Sequence, residues 1–246
     1  MELVQNVINQ SQGRDRLFRA TQYACALCAY ALRNDNRRKD LVSKLERLEA
    51  NMSAGRKLFR LGNTINAIES AKRNSRLSDP ALCLCLAVAD VGRALYFICD
   101  NTLWAAGVGL LAGIDKERWS AAASRCYLLS LVMSLSRDVY VISRFVAEKT
   151  REKHFRRKMI SHLKQNPDVA EVTVPQLDAL VFLLLHCFKS QPAVLLDTVK
   201  NVCDLSIPLD KLGIYRSNAG AVAFCGLLSS LIGIVTLVRP DLKIKA

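Results

Sequence analysis

Nine cysteines and three histidines are the side chains here best suited to chemistry, so their spacing is the first constraint. The cysteines stand at 25, 28, 83, 85, 99, 126, 187, 203 and 225, nearly all inside apolar runs. An odd count, after an opening MELVQNVINQ that lacks the apolar core of a secretory signal, argues against a disulfide framework. Cys25-Ala-Leu-Cys28 is a lone CxxC. Zinc would need two further ligands at matching spacing, and thioredoxin-like exchange needs a βαβ context. The expectation is small hydrophobic side chains in a reducing compartment. His154, His162 and His186 have no Ser or Cys partner by motif, and no Walker loop, GxGxxG or HExxH occurs. No catalytic residue, no metal and no cofactor is therefore expected, and the chain does not read as an enzyme.

Charge is the stronger feature. Thirty-five Lys and Arg oppose 22 Asp and Glu, for a net charge of +13 over 246 residues. Yet 51% of the chain is hydrophobic and its mean hydropathy is +0.14. That combination excludes intrinsic disorder, which pairs charge with low hydrophobicity. A pI near 9.5 raises nucleic acid as a partner, but no zinc finger, aromatic RNA-binding motif or basic zipper appears. No nucleic acid is expected; a basic chain this apolar suits an anionic lipid bilayer.

The elements that position these charges read as all-α. Period 3.6 recurs throughout and alternating strand patterns are short. Helices are predicted over 14–33, 38–76, 80–111 and 116–164, then over 177–189 and 193–205. Asp79 and Pro80 suit the cap and first position of the third. Ala219 to Val238 is 20 residues without a charge, enough to span roughly 30 Å as a helix. It predicts a transmembrane helix. Gly226, Ser229, Ser230 and Gly233 place small residues at i, i+4 spacing on it, a pattern suited to association between copies in lipid.

The segment 80–114 is apolar but broken by Asp90, Arg93 and Asp100, and 126–147 repeats the ambiguity with Arg137, Asp138 and Arg144. Asp90 and Arg93 stand at i, i+3 and can pair. Five regions follow: a helical amphipathic region over 1–79, a membrane-associated or membrane-crossing segment over 80–114, and a helical region over 115–218 with a basic stretch at 144–164. The transmembrane helix 219–238 and a short basic tail 239–246 complete the chain.

Two clusters hold the positive charge, +7 over 36–76 and +6 over 144–164. In the first, Leu41, Leu45, Leu48, Met52 and Phe59 share a helical face. Ala54, Leu58, Leu61, Ile65 and Ile68 form a second stripe, rotated around Gly55. Arg56, Arg60 and Asn63 project opposite it. With Lys44, Arg47 and Lys57 this is the pattern of a helix lying in a membrane plane, apolar side down and cations on lipid phosphates.

Several segments resemble the peroxin-11 family of peroxisomal membrane proliferation proteins, its vertebrate alpha-type branch most of all. They are Gly-Arg-Asp-Arg-Leu-Phe-Arg-Ala-Thr-Gln-Tyr at 13–23, Gly-Arg-Lys-Leu-Phe-Arg-Leu-Gly at 55–62 and Tyr-Phe-Ile-Cys-Asp at 96–100. Leu-Asp-Thr-Val-Lys-Asn at 196–201 and Leu-Gly-Ile-Tyr-Arg-Ser-Asn at 212–218 extend the likeness over almost the whole chain. The resemblance implies a multi-pass peroxisomal membrane protein with both termini cytosolic. Such proteins elongate the organelle before fission, form homo-oligomers, and recruit fission adaptors and a dynamin-related GTPase. Curvature in the family is attributed to an N-terminal amphipathic helix, here most directly Arg56 to Leu61. Two crossings with cytosolic termini would put 144–164 in the lumen, against the positive-inside tendency. The rival expectation is a channel or metabolite transporter of the same membrane, with Asp90, Arg93, Arg137 and Asp138 along a polar pathway.

Overall fold

The structure, a computed structural model, describes residues 9–151 and 191–242. All three histidines, Cys187, the expected helix 177–189 and most of the basic stretch lie outside those residues. Among the described residues every regular element is helical: α1 (Ser11–Leu32), α2 (Lys39–Phe59), α3 (Asn63–Asn74), α4 (Pro80–Gly107), α5 (Lys116–Arg151), α6 (Pro192–Lys211) and α7 (Ala219–Val238). Short 3-10 turns at Asn36–Arg38 and Pro240–Leu242 precede α2 and follow α7.

The helix starts are legible chemistry. Asp79 accepts hydrogen bonds from the amides of Ala81 and Leu82 at 3.0 and 3.3 Å, with Pro80 in the first helical position. Asn218 caps α7 in the same way through the Gly220 amide at 3.1 Å. The single helix predicted over 38–76 is two. Gly62 adopts φ +85°, a left-handed conformation that a β-carbon disfavours by about 1–2 kcal/mol, and the chain turns there. Gly55, expected to mark the rotation between stripes, stays inside α2 against the Phe18 ring.

The helices pack in a closed series. Helix α2 lies on α1, α1 on α7, α7 on α6, α6 on α5 and α5 on α4, and a lighter contact of α4 with α2 closes the ring. Helix α3 rests on the outside of α4. Helices α1 and α7 run antiparallel at very close range, with Tyr30, Tyr23 and Arg16 facing Gly220, Gly226 and Gly233 in turn. A β-carbon at Gly226 would stand 2.6 Å from the Tyr23 ring. Ser230 donates to the Gly226 carbonyl at 2.6 Å, and Ser229 to Asp204 at 2.6 Å. The small residues expected to join two copies are thus occupied within one chain. Spacing alone could not distinguish the two uses, because α1 is too polar to advertise itself as the partner of a transmembrane helix.

The core is inverted relative to a water-soluble protein. Its buried apolar residues are mostly Ala and Cys, and its most deeply buried side chains include Asp138, Ser130, Ser229 and Ser230. Leu84, Val139, Phe224 and Leu231 point outward; Phe224 is 56% exposed. In water that arrangement wastes apolar area, but in lipid the outside is as apolar as leucine and close packing of small residues holds helices together. Among the described residues three helices, Pro80–Gly107, Lys116–Glu148 and Ala219–Val238, are long and apolar enough to cross a bilayer. The third coincides with the expected helix 219–238, the first covers residues 80–107 of the expected segment 80–114, and the second extends the ambiguous 126–147.

Gly226→Leu should therefore lower the stability of the single chain, by about 1–3 kcal/mol from overpacking against Tyr23. Thermal unfolding in detergent micelles measures it, and Tyr23→Ala in the same chain should recover part of the loss.

Candidate functional site, an outward apolar ridge on a buried ionic clamp

Helices α2 and α3 carry the residues expected to meet lipid. Leu58, Leu61, Ile65 and Ile68 form one outward ridge across the Gly62 turn, with Ile65 63% exposed. Leu41 and Leu48 are exposed on the earlier turns of α2, as are Lys44 and Arg47, while Leu45 is half-buried. Lys44 pairs with Asp40 at 2.7 Å. Phe59 turns inward and meets the Phe18 ring edge-to-face at 5.0 Å between centroids. Lys57 is half-buried.

Arg56 and Arg60 are the correction. Expected on lipid phosphates, both lie inside the bundle, Arg56 only 7% exposed. Asp15 of α1 accepts from Arg56 Nε at 3.1 Å and from Arg60 Nε at 3.0 Å. Arg56 also donates to Gln22 at 2.7 Å. Arg60 reaches α4, donating to the Tyr96 hydroxyl at 2.6 Å and to Asp100 at 3.2 Å. One guanidinium thus joins α1, α2 and α4. A helical stripe reveals which residues share a face but not which face is outside. Where the surroundings are lipid, the polar face turns in.

A second clamp sits beside the first. Arg19 of α1 forms an ion pair with Asp204 of α6, which also accepts from Ser229 of α7. The charges inside the spans are used likewise. Asp90 accepts from Ser70 at 2.6 Å and Asn74 at 2.7 Å, tying α3 to α4, and pairs with Arg93 at 3.2 Å as the spacing anticipated. Arg137 pairs with Asp138 and with Asp197 of α6, and Asn201 donates to Asp138 at 3.2 Å. The four residues proposed for a polar pathway thus fall into two separate helix-joining groups.

Sequence reading singled out neither Asp15, Arg19, Tyr96 nor Asp204. The available sign was three polar pairs at i, i+4, namely Asp15 with Arg19, Arg56 with Arg60, and Tyr96 with Asp100. Among the described residues no group of three His, Cys, Asp or Glu converges as a metal site would require.

Electrostatics outside the spans follow the pairing. Burial pushes the Asp15 carboxyl up, but Arg60 and Arg56 outweigh it and hold it below the usual range. Asp204 is likewise lowered, burial being overcome by Arg19 and the Ser229 bond. For Asp197 burial is overcome by Lys200 and Arg137, and its pKa falls to about 2.

The sequence model of the family described as Peroxisomal biogenesis factor 11 matches residues 1–238. Peroxisomal membrane protein 11A of Mus musculus is 46% identical over 246 residues, covering all of both chains. The 11A protein of Homo sapiens is 44% identical over 248 residues, with 100% of this chain and 99% of the relative covered. Peroxisomal membrane protein 11B of Homo sapiens is 43% identical over 255 residues, with 96% of each covered. No solved structure matches the chain.

Two outcomes follow from the clamps. Arg60→Ala strands Asp100 and weakens Asp15, and should cost about 3–5 kcal/mol, as removing one partner of a buried pair does. Acid should act on the same bonds. A lowered carboxyl contributes fully above its unfolded pKa of about 4 and loses that contribution as pH falls through the folded value. Stability in micelles should therefore drop between pH values of about 4 and 2, with roughly 2 kcal/mol of the loss from Asp197. Thermal melts across that range measure it, with Asp197→Asn expected to lose only the Asp197 share of the drop.

Proposed function

The chain belongs to the Peroxisomal biogenesis factor 11 family, and from that premise we propose that it elongates and tubulates the peroxisomal membrane by seating the α2–α3 ridge in one leaflet. The observation that carries this reading is the orientation of α2 and α3. Four large aliphatic side chains face outward while the neighbouring Arg56 and Arg60 are locked inside. A free amphipathic peptide can float in an interface, whereas this ridge is fastened through Asp100 to α4, a candidate span, and through Asp15 to α1, which packs on the span α7. Wedging Leu58, Leu61, Ile65 and Ile68 among lipids expands that leaflet relative to the other, and the clamp carries the strain into the spans. Exposed Lys44 and Arg47 supply the attraction to anionic lipid.

The protein then acts by shape rather than by catalysis. Self-association, and recruitment of fission adaptors and a dynamin-related GTPase, complete the proposal on the strength of the family. Helices α4 and α5 form a hairpin that leaves the cytosolic face and returns to it by Arg151, which puts that basic end on the side the positive-inside tendency prefers. Cytosolic placement of both termini then requires one crossing in addition to α4, α5 and α7.

Full-length protein in anionic liposomes tests the reading by electron microscopy. The native chain should draw tubules. Changing Leu58, Leu61, Ile65 and Ile68 together to Ser should leave vesicles round while the protein stays membrane-embedded. Lys44→Ala with Arg47→Ala should weaken tubulation more as salt rises and screening shortens the surface attraction. Tubules of ordinary length from the serine variant would refute the ridge.

A further inference from the structure

A cavity of about 590 Å³ opens where the last turns of α2, α4 and α6 meet the start of α5. Lys57, Lys116 and Lys211 line it from three helices, together with Ser120 and with Glu117 as the one carboxylate of its lining. Among the described residues none of the three ammonium groups, nor the Ser120 hydroxyl, makes a hydrogen bond or ion pair. Glu117 apart, the nearby acids are engaged elsewhere. Asp100 is held by Arg60, and Asp115 caps α5 through the Glu117 and Arg118 amides and pairs with Arg118.

Lys57 and Lys211 stand in the final turns of their helices, where a cation offsets the negative helix end. Lys116 does not have that explanation. It stands in the first turn of α5, where the helix end is itself positive, with the Asp115 cap and Glu117 as the negative charges of that turn. Lys211 keeps contact with solvent, yet crowding by protein atoms and by Lys57, Arg60 and Arg56 lowers its pKa, with Asp100 opposing. The cavity lies where two candidate spans are joined, by residues 108–115. The chain's two tryptophans, Trp104 and Trp119, flank that join. Tryptophan gathers at the headgroup level of a bilayer, which sets the depth of the site.

We propose that this cavity binds a phosphate-bearing anion, supplied by a lipid headgroup at the level of the two tryptophans. The three ammonium groups neutralise the phosphate, and Ser120 donates to one of its oxygens. Leu103 supplies an apolar wall beside the acyl chains. The site is separate from the outward ridge and does not depend on it.

Native mass spectrometry of the full-length chain, released from neutral phosphatidylcholine doped with phosphatidylinositol 4-phosphate, tests the assignment. The native protein should retain the phosphoinositide, and Lys116→Gln with Lys211→Gln should cut that retention by roughly 30-fold, at about 1 kcal/mol for each cation. Lys116→Glu alone should lower retention too; it suits the helix end, so the loss reports the site and not the fold. Arg37→Gln with Lys39→Gln removes the same charge roughly 27 Å along α2 from Lys57 and should change nothing. The serine ridge variant should also bind normally, which separates this site from the curvature reading. Added inorganic phosphate identifies the source: failure to displace the lipid supports the headgroup, and displacement supports the anion site with soluble phosphate as occupant. Equal retention by the native chain and both pocket variants, or no retention by any of them, would overturn the proposal.

Discussion

Arg60 carries a permanent charge into the interior, and the bundle is arranged so that this charge is never alone. Removing such a group from water costs several kcal/mol unless carboxylates and hydroxyls take over its solvation. Asp15, Asp100 and Tyr96 do so from two other helices. Arg19 with Asp204, and Arg137 with Asp138 and Asp197, repeat the solution further along. Helices that share such a charge cannot separate in lipid without exposing it, so these pairs fix which helices are neighbours. Close packing of Gly220, Gly226 and Gly233 against α1 then sets how near they come.

From this constraint the outward face follows. With polar groups committed to the interior, the large aliphatic residues of α2, α3, α4 and α7 are left facing out. A surface of that kind is stable only against lipid. The proposed wedge is therefore the visible edge of a general inversion and not a special motif. Its rigidity comes from the same arginines that sequence reading assigned to headgroups.

Much of this was legible in the residues. The absence of charge over 219–238, the Asp79–Pro80 start of α4 and the apolar character of 80–107 each rest on local chemistry, and each survives in the fold. What failed to show had non-local causes. Gly62 breaks a helix that period 3.6 carries straight through, because one left-handed residue leaves the pattern of its neighbours intact. The spacing of Gly226, Ser230 and Gly233 announces a close partner without saying whether it is a second copy or α1. The inward turn of Arg56 and Arg60 depends on Asp15 and Asp100, which are 41 and 40 residues distant from them.

The central claim is that Ile65 faces acyl chains while the arginines beside it stay inside. A Trp reporter at Ile65, in full-length protein carrying Trp104→Phe and Trp119→Phe and reconstituted into anionic liposomes, reads this directly. The account predicts a blue-shifted emission quenched by lipids brominated along their acyl chains and insensitive to aqueous iodide. Strong iodide quenching with no effect of brominated lipid would contradict it.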